Sequence, residues 1–397
     1  MSETKLRVLL VNSARGLGGG TTTTPELALG LAGRGHDVTL VCHPGSPIRE
    51  QVRGHARIRI APIAIRAELN PFRVIQLARV VRAFPADVIL ADRRKDVKLC
   101  FGALLLRPGA ALVHRHGAPS TLRDSVLYRA IWSRIDGVIV NSHTMAQLLR
   151  GRTPWIAATH MYVVHNGKDL DVYRPLPGLR AAVRDSLGLP ADAVIVAFHG
   201  GFSARKNLDL LIRALALRPM GSRLHGLLVG DGPERPRLQA LARRYGVPVT
   251  FAGPQADVPR VLAAADVSVH LSSAEGFSNS VIEALACGLP VVASQATSHV
   301  EQVDDGIQGF LVPLRDEDTL IAALVRLAGD PALRARMGHA ARQRAEQQFS
   351  LQRMVSEYEA ALRGAAERRS RNVQGATLTR VSAAAPPRPE DDHAAGR

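Results

Sequence analysis

The chain has 397 residues, 46% of them hydrophobic and 4% aromatic, enough for two packed domains. No apolar run reaches the ~18–20 residues of a membrane span, and Val8–Val11 is too short for a signal-peptide core. The formal charge of +16 is lopsided: residues 1–175 hold 25 Lys and Arg against 12 Asp and Glu, and residues 176–350 hold 18 against 17. A basic first half points to an anionic partner such as a membrane surface or an acidic glycan. Zinc-finger spacing and an aromatic-basic RNA-binding signature are missing, which sets nucleic acid aside. Cys42, Cys100 and Cys287 are far apart among apolar neighbours, and read as buried free thiols. The expected location is the cytoplasm, with peripheral contact at the inner face of the membrane; an arginine-rich, solvated surface is the alternative reading of the charge.

In chain order, Arg7–Asn12 reads as a first strand, followed by the glycine loop Gly16–Gly20. Thr24 and Pro25 suit the N-cap and first position of a helix over Pro25–Gly33. Strands follow at Val38–Cys42, Val88–Ala91, Ala111–His114, Gly137–Asn141 and Tyr162–His165, with helices at Pro71–Phe84 and Tyr128–Arg134. Pro175, Pro177, Gly178 and Pro190 mark a linker across Asn166–Pro190. Beyond it come strands at Ala193–Phe198, Gly226–Val229, Val249–Phe251, Val267–Leu271 and Pro290–Ala293. The intervening helices are Leu208–Ala216, Arg235–Tyr245, Val258–Ala264, Ser280–Cys287 and Thr319–Leu327. The alternation gives two doubly wound α/β domains, 1–170 and 171–350. Helical sequence runs from Pro331 to about Gly364, and 365–397 lacks apolar periodicity and reads as disordered.

In open parallel sheets, ligands gather beyond the carboxyl ends of the strands. Several loops at such ends stand out. Gly16–Gly20 could bring backbone amides to a phosphate, although its spacing is neither a dinucleotide fingerprint nor a P-loop; a plain flexible turn is the alternative. Arg205 and Lys206 open a helix, where cations gain nothing from the dipole. A bridging diphosphate explains them, and ordinary surface charge is the bland reading. Gly230 lies in the tight turn Gly230-Asp-Gly-Pro233. His116 closes His114-Arg115-His116 at a strand end, with a structural histidine as the alternative. Glu275-Gly-Phe-Ser-Asn-Ser-Val-Ile-Glu283 sets two carboxylates around a polar turn, suggesting a ligand rich in hydroxyl groups. Glu283 also fits the third helical position of a capping box begun at Ser280. Asp169/Asp171 and Asp316/Asp318 lack a third ligand, so no metal site is expected.

Together these motifs resemble family 4 glycosyltransferases. Glu275–Glu283 with the following Ala-Leu-Ala-Cys-Gly-Leu-Pro-Val-Val-Ala is similar to the family's Glu-x7-Glu signature. Arg34-Gly-His-Asp-Val-Thr-Leu, His165-Asn-Gly-Lys-Asp, Val229-Gly-Asp-Gly-Pro and Glu301 with Asp305-Gly-Ile-Gln-Gly-Phe-Leu-Val agree in order, over about residues 6–350. The resemblance implies a GT-B fold, two Rossmann-like domains facing a central cleft, with the segment after Ser350 returning to the first domain. It implies retaining, metal-independent transfer from a nucleotide-sugar donor, and no cofactor. It implies that Glu283 holds the donor ribose, that Glu275 contacts the transferred sugar, and that Phe277, Ser278, Asn279 and Ser280 surround it. Lys206 and Arg205 would neutralise the diphosphate, Gly18 and Gly19 would approach it from the first domain, and His116 would stand near the donor sugar. The family often has Arg at the position of Gly201, for which Arg205 is the candidate replacement. The expected acceptor is a surface glycan or lipid-linked oligosaccharide of lipopolysaccharide type. A nucleotide-sugar epimerase of the same fold and a non-catalytic partner subunit are the alternatives.

Overall fold

The computed structural model describes residues 4–16, 19–65, 70–117, 122, 124–156, 159–296 and 298–383. Seven strands form the first sheet: β1 (Arg7–Asn12), β2 (Asp37–Cys42), β3 (Ile58–Pro62), β4 (Val88–Ala91), β5 (Ala111–His116), β6 (Gly137–Val140) and β7 (Met161–Val163). Six form the second: β8 (Val194–His199), β9 (Leu224–Val229), β10 (Val249–Gly253), β11 (Val267–His270), β12 (Val291–Ser294) and β13 (Gly309–Val312). The orders are β3-β2-β1-β4-β5-β6-β7 and β10-β9-β8-β11-β12-β13, and every described pairing is parallel. Central strands such as Val88–Ala91 and Val194–His199 are buried along their whole length, which is why they read as unbroken apolar runs.

Each sheet has apolar cores on both faces. The helix Leu351–Ala383 places Met354, Val355, Tyr358, Leu362 and Ala365 in a core of the first sheet. The disordered tail expected from residue 365 is therefore corrected as far as Ala383. Ala365 is fully buried, and Arg368 donates to the Asp136 carbonyl at 3.2 Å and to the Tyr162 hydroxyl at 2.5 Å. Residues 384–397 lie outside the described part. The first helix also starts earlier than expected, at Gly19, with Pro25 inside it. Thr24 is not its cap: its hydroxyl donates to Asp92 at 2.7 Å and accepts from Asn12 at 2.7 Å and Arg115 at 3.1 Å. Trp132 is buried beside His114 and Trp155 and donates to Thr159 at 2.8 Å.

The chain passes between the two sheets twice, near residues 164–179 and again near 349–351. Lys168 N–H donates to the Phe349 carbonyl and Leu351 N–H to the Lys168 carbonyl, each at 2.8 Å, so the two passages are stitched by backbone. A Cβ on Gly167 would lie 2.3 Å from the Ser350 oxygen, so only glycine fits this crossing.

Candidate functional site

The carboxyl ends of the two sheets face each other, and the pairing is close. Gly276, in the loop after β11, has no room for a side chain: a Cβ there would meet the Gly117 carbonyl oxygen, just past β5, at 2.1 Å. Ser142, past β6, donates its hydroxyl to the Gly276 carbonyl at 3.0 Å. The loop that carries Glu275 is thereby pinned against the first sheet.

Glu275 pairs with Arg205 at 2.9 Å and with Lys206, and accepts from the Ser272 hydroxyl at 3.0 Å. Burial works to raise its pKa, but the charges and hydrogen bonds of Lys206 and Arg205 bring it below the usual carboxylate range. Lys206 is buried and Arg205 half-exposed, so only Arg205 fits the description of a surface charge. They lie on a single 3-10 turn, Ala204–Lys206, before the helix Leu208–Ala216. Asn207 joins the two in a left-handed conformation, φ 49°, and donates to the Leu271 carbonyl at 2.8 Å. Two cations against one carboxylate leave a surplus positive charge at this strand end.

Glu283 is buried in the helix Asn279–Ala286. The capping-box reading is overturned, because Ser278 is the N-cap and its hydroxyl takes the Val281 N–H at 3.4 Å. Glu283 instead accepts from His199 Nε2 at 3.0 Å and pairs with Lys168 Nζ at 3.3 Å. Burial favours its protonated form, but the His199 hydrogen bond and the Lys168 charge outweigh burial and lower its pKa. It is thus an ionised acceptor in an enclosed setting, the state needed to receive hydroxyl donors.

The rest of the expected set divides. Gly230, φ 128°, has the Gly200 carbonyl oxygen 2.0 Å from where a Cβ would stand, so the loops after β8 and β9 meet there. Phe277 stacks on His165 with centroids 4.7 Å apart and also touches Phe349, which turns its ring into the core. The Ser278 side chain is spent on the cap. Asn279 accepts from Asn166 at 2.8 Å and donates to the Thr22 hydroxyl at 3.3 Å, joining the second sheet's helix to the chain crossing and to the first helix. Ser280 is half-buried near Gly200. His116 is buried, its Nδ1 3.3 Å from His114 Nε2, with Gly117 next to it at the Gly276 contact. Gly19 opens the first helix; Gly18 lies outside the described residues.

Four further residues matter here: Glu26 and His199, which carried no signal in the sequence, and Lys168 and Glu301, which stand in motifs of the family resemblance without a role assigned to them. The carboxylate of Glu301 caps the helix His143–Arg152 from across the interface. It accepts from His143 N–H at 2.8 Å, Thr144 N–H at 2.7 Å and the Thr144 hydroxyl at 2.5 Å, with His165 Nε2 at 3.4 Å. Burial raises its pKa, and these donors, His165 first, pull it down to about 2. His143, His165 and Glu301 are the one grouping with metal-ligand potential among the described residues. Both Glu301 oxygens are already committed to cap donors, which disfavours an ion there. His199 and Lys168 could have been noticed from position alone, since one ends β8 beside Gly200 and the other sits in His165-Asn-Gly-Lys-Asp.

Two facing doubly wound parallel sheets, with carboxylates and cations gathered at their carboxyl ends, define the GT-B class of architecture. A solved structure of Anabaena Alr3699/HepE in complex with UDP and glucose has the same fold, with a TM-score of 0.75 at 23% identity over 90% of this chain and 99% of that one. Residues 17–172 match the family model "Glycosyltransferase Family 4" and residues 180–344 match "Glycosyl transferases group 1". The chain belongs to the family 4 glycosyltransferases. It is 38% identical over 232 residues to the D-inositol 3-phosphate glycosyltransferase of Saccharomonospora viridis, covering 55% of this chain and 53% of that protein. The chain thus spans about half the length of that relative. It is 28% identical over 345 residues to the lipopolysaccharide core biosynthesis glycosyltransferase LpsE of Rhizobium meliloti, covering 86% of this chain and 94% of LpsE.

Proposed function

We propose that the protein is a retaining glycosyltransferase that moves a sugar from a nucleotide-sugar donor to a surface-glycan or lipid-linked acceptor, of lipopolysaccharide type. The observation that carries this is the Glu275 loop, where a carboxylate and two cations at the end of β11 abut the first sheet at Gly117, beside His116. A donor lying along this edge meets groups of the right sign in order. Glu283 receives a ribose hydroxyl, Arg205 and Lys206 balance the diphosphate, and Glu275 faces the sugar. As the glycosidic bond breaks, positive charge grows on the sugar and negative charge on the leaving diphosphate. Cations already held in place stabilise that charge without solvent reorganisation. The residues contain a counter-charge for the leaving group, so the reading needs no metal.

Support for the acceptor comes from the first sheet's side. Its helices Pro71–Ala83 and Arg94–Leu106 carry exposed Phe72, Ile75, Leu105 and Leu106, and the helix Val126–Ser133 adds Val126 and Leu127. Arginines are interspersed with them, a combination that suits peripheral contact with an anionic membrane. No helix among the described residues is long and apolar enough to cross a membrane. LpsE, named for lipopolysaccharide core biosynthesis, is a relative matched over nearly its full length, and HepE was solved with UDP and glucose.

The test is a panel of nucleotide sugars offered with and without phosphorylated or lipid-linked saccharides. The proposal expects nucleoside diphosphate release that depends on an acceptor. Conversion of the nucleotide sugar without acceptor, and with no release, would establish the epimerase reading instead.

A further inference from the structure

Lys168 is 2% exposed, a rare state for a lysine, and it sits where the two passages between the sheets are hydrogen-bonded together. Its ammonium lies 3.0 Å from Glu26 Oε1 and 3.3 Å from Glu283 Oε1, above the Tyr173 ring. Glu26 belongs to the first helix, Gly19–Gly33, and Glu283 to the second sheet's helix Asn279–Ala286. One side chain at the crossing therefore ties together the two helices that face the donor from opposite sides.

From this geometry we infer that Lys168 is a positioning residue for the donor: it holds Glu283 oriented to take a ribose hydroxyl and joins that carboxylate to the first domain through Glu26. This inference rests on the proposed role of Glu283. An ionised carboxylate offers about four lone-pair sites, two on each oxygen. His199 donates to Oε2 and Lys168 to Oε1, which fixes the carboxylate plane from both ends. Tyr173 is a third hydrogen-bond partner of this carboxylate, so of its roughly four lone-pair sites about one stays open to a ligand hydroxyl. Without Lys168 the buried carboxylate loses its counter-charge and half of its orientation. Removing one member of a buried pair is far more damaging than the pair is stabilising, because the other charge stays behind.

The burial of Glu26 deepens the coupling. Burial pushes its pKa up, the Lys168 charge only partly opposes this, and the neighbouring Glu283 adds to the rise. Two carboxylates thus compete for one ammonium. A ligand hydroxyl that satisfies Glu283 leaves Lys168 more fully to Glu26, and ribose occupancy is transmitted to the first helix.

The experiment uses the full-length chain and calorimetric titration with UDP, GDP and ADP, then with the 2′,3′-dideoxy form of whichever binds best. Wild type should prefer the ribose form by about tenfold or more, and Lys168→Met should weaken ribose-form binding by about tenfold while leaving dideoxy-form binding within about twofold. A general structural defect would weaken both forms alike, and that result overturns the inference. Glu283→Gln separates the two levels. If it leaves ribose-form binding intact, the reading of Glu283 fails. If it weakens ribose-form binding and Lys168→Met does not, only the role of Lys168 fails. Lys168→Gln, which keeps a hydrogen-bond donor and loses the charge, is read in the same way should Lys168→Met melt below assay temperature.

Discussion

Substitution of Gly276 by alanine isolates the contact between the two sheets from everything else in the site. The added methyl would stand 2.1 Å from the Gly117 carbonyl oxygen and 3.0 Å from Asn141 Nδ2. Ordinary contact begins at 3.4 Å, so the Glu275 loop and the end of β5 must separate by a little over 1 Å. Gly276 does not have a positive φ, so alanine suits the backbone itself, and the cost falls on the approach of the two domains. Groups on the second sheet keep their mutual geometry: Arg205, Lys206 and Glu275 stay together, and so do His199 and Glu283. Nucleotide affinity should therefore change less than threefold or so, whereas turnover, which needs first-sheet groups placed against the sugar, should fall by ~100-fold for a ~1 Å displacement. The assay is steady-state release of nucleoside diphosphate beside calorimetric binding of the nucleotide. Wild-type turnover in Gly276→Ala would refute the claim that this contact assembles the site. Equal losses in binding and turnover would refute the division of labour between the sheets.

Three further outcomes follow from the geometry. Glu301→Ala removes the cross-interface cap of the helix His143–Arg152 and should cost roughly 1–2 kcal/mol in domain association, seen as faster proteolysis between residues 164 and 179; Glu301→Gln should recover part of it. Because Glu301 is held down to about 2, its contribution is complete above the ordinary carboxylate pKa and is lost as pH falls through about 2, so it should not vary between pH 6 and 8. Asp96 runs the other way: burial raises it to about 6, so the folded state favours the protonated acid, and stability falls as pH rises from the usual 3.8 through 6. Asp96→Asn should gain up to ~2–3 kcal/mol relative to wild type at pH 8 and nothing at pH 4. Asp92→Asn leaves Arg115 buried without its ion pair and should destabilise the first sheet by ~3–5 kcal/mol. Urea unfolding followed by tryptophan fluorescence checks both, since Trp132 and Trp155 both pack in the first sheet's core.

Much of the fold was legible because parallel strands buried on both faces leave unbroken apolar runs. Leu208–Ala216 and Arg235–Tyr245 coincide with their expected bounds. Two of the four edge strands were missed for the converse reason: β3 is Ile-Arg-Ile-Ala-Pro with only Ile58 buried, and β13 is short with a half-exposed centre. The helix Arg94–Leu106 was obscured by the charged start Arg-Lys-Asp, in which Asp96 in fact turns inward to take the Ser13 and Arg93 amides. At the candidate site, the Glu275–Glu283 motif falls on a loop and helix at the carboxyl end of the second sheet, but the partners of its carboxylates come from far along the chain. His199 is 84 residues and Lys168 115 residues from Glu283. Spacing along one segment cannot reveal such pairs; the fold makes them by bringing a strand end and a crossing beside one helix. The same holds for Glu301, whose capped helix lies 157 residues away at Thr144.

The central claim is that Glu275 and its two cations form the reacting edge of a donor clamp. The direct measurement is sugar transfer by wild type and Glu275→Ala, with the donor and acceptor that the panel identifies, and the anomeric configuration of the product read by NMR. The account predicts transfer with retention in wild type, and in Glu275→Ala a loss of at least ~100-fold with nucleotide binding kept. Transfer at the wild-type rate by Glu275→Ala, or a product of inverted configuration, would contradict it.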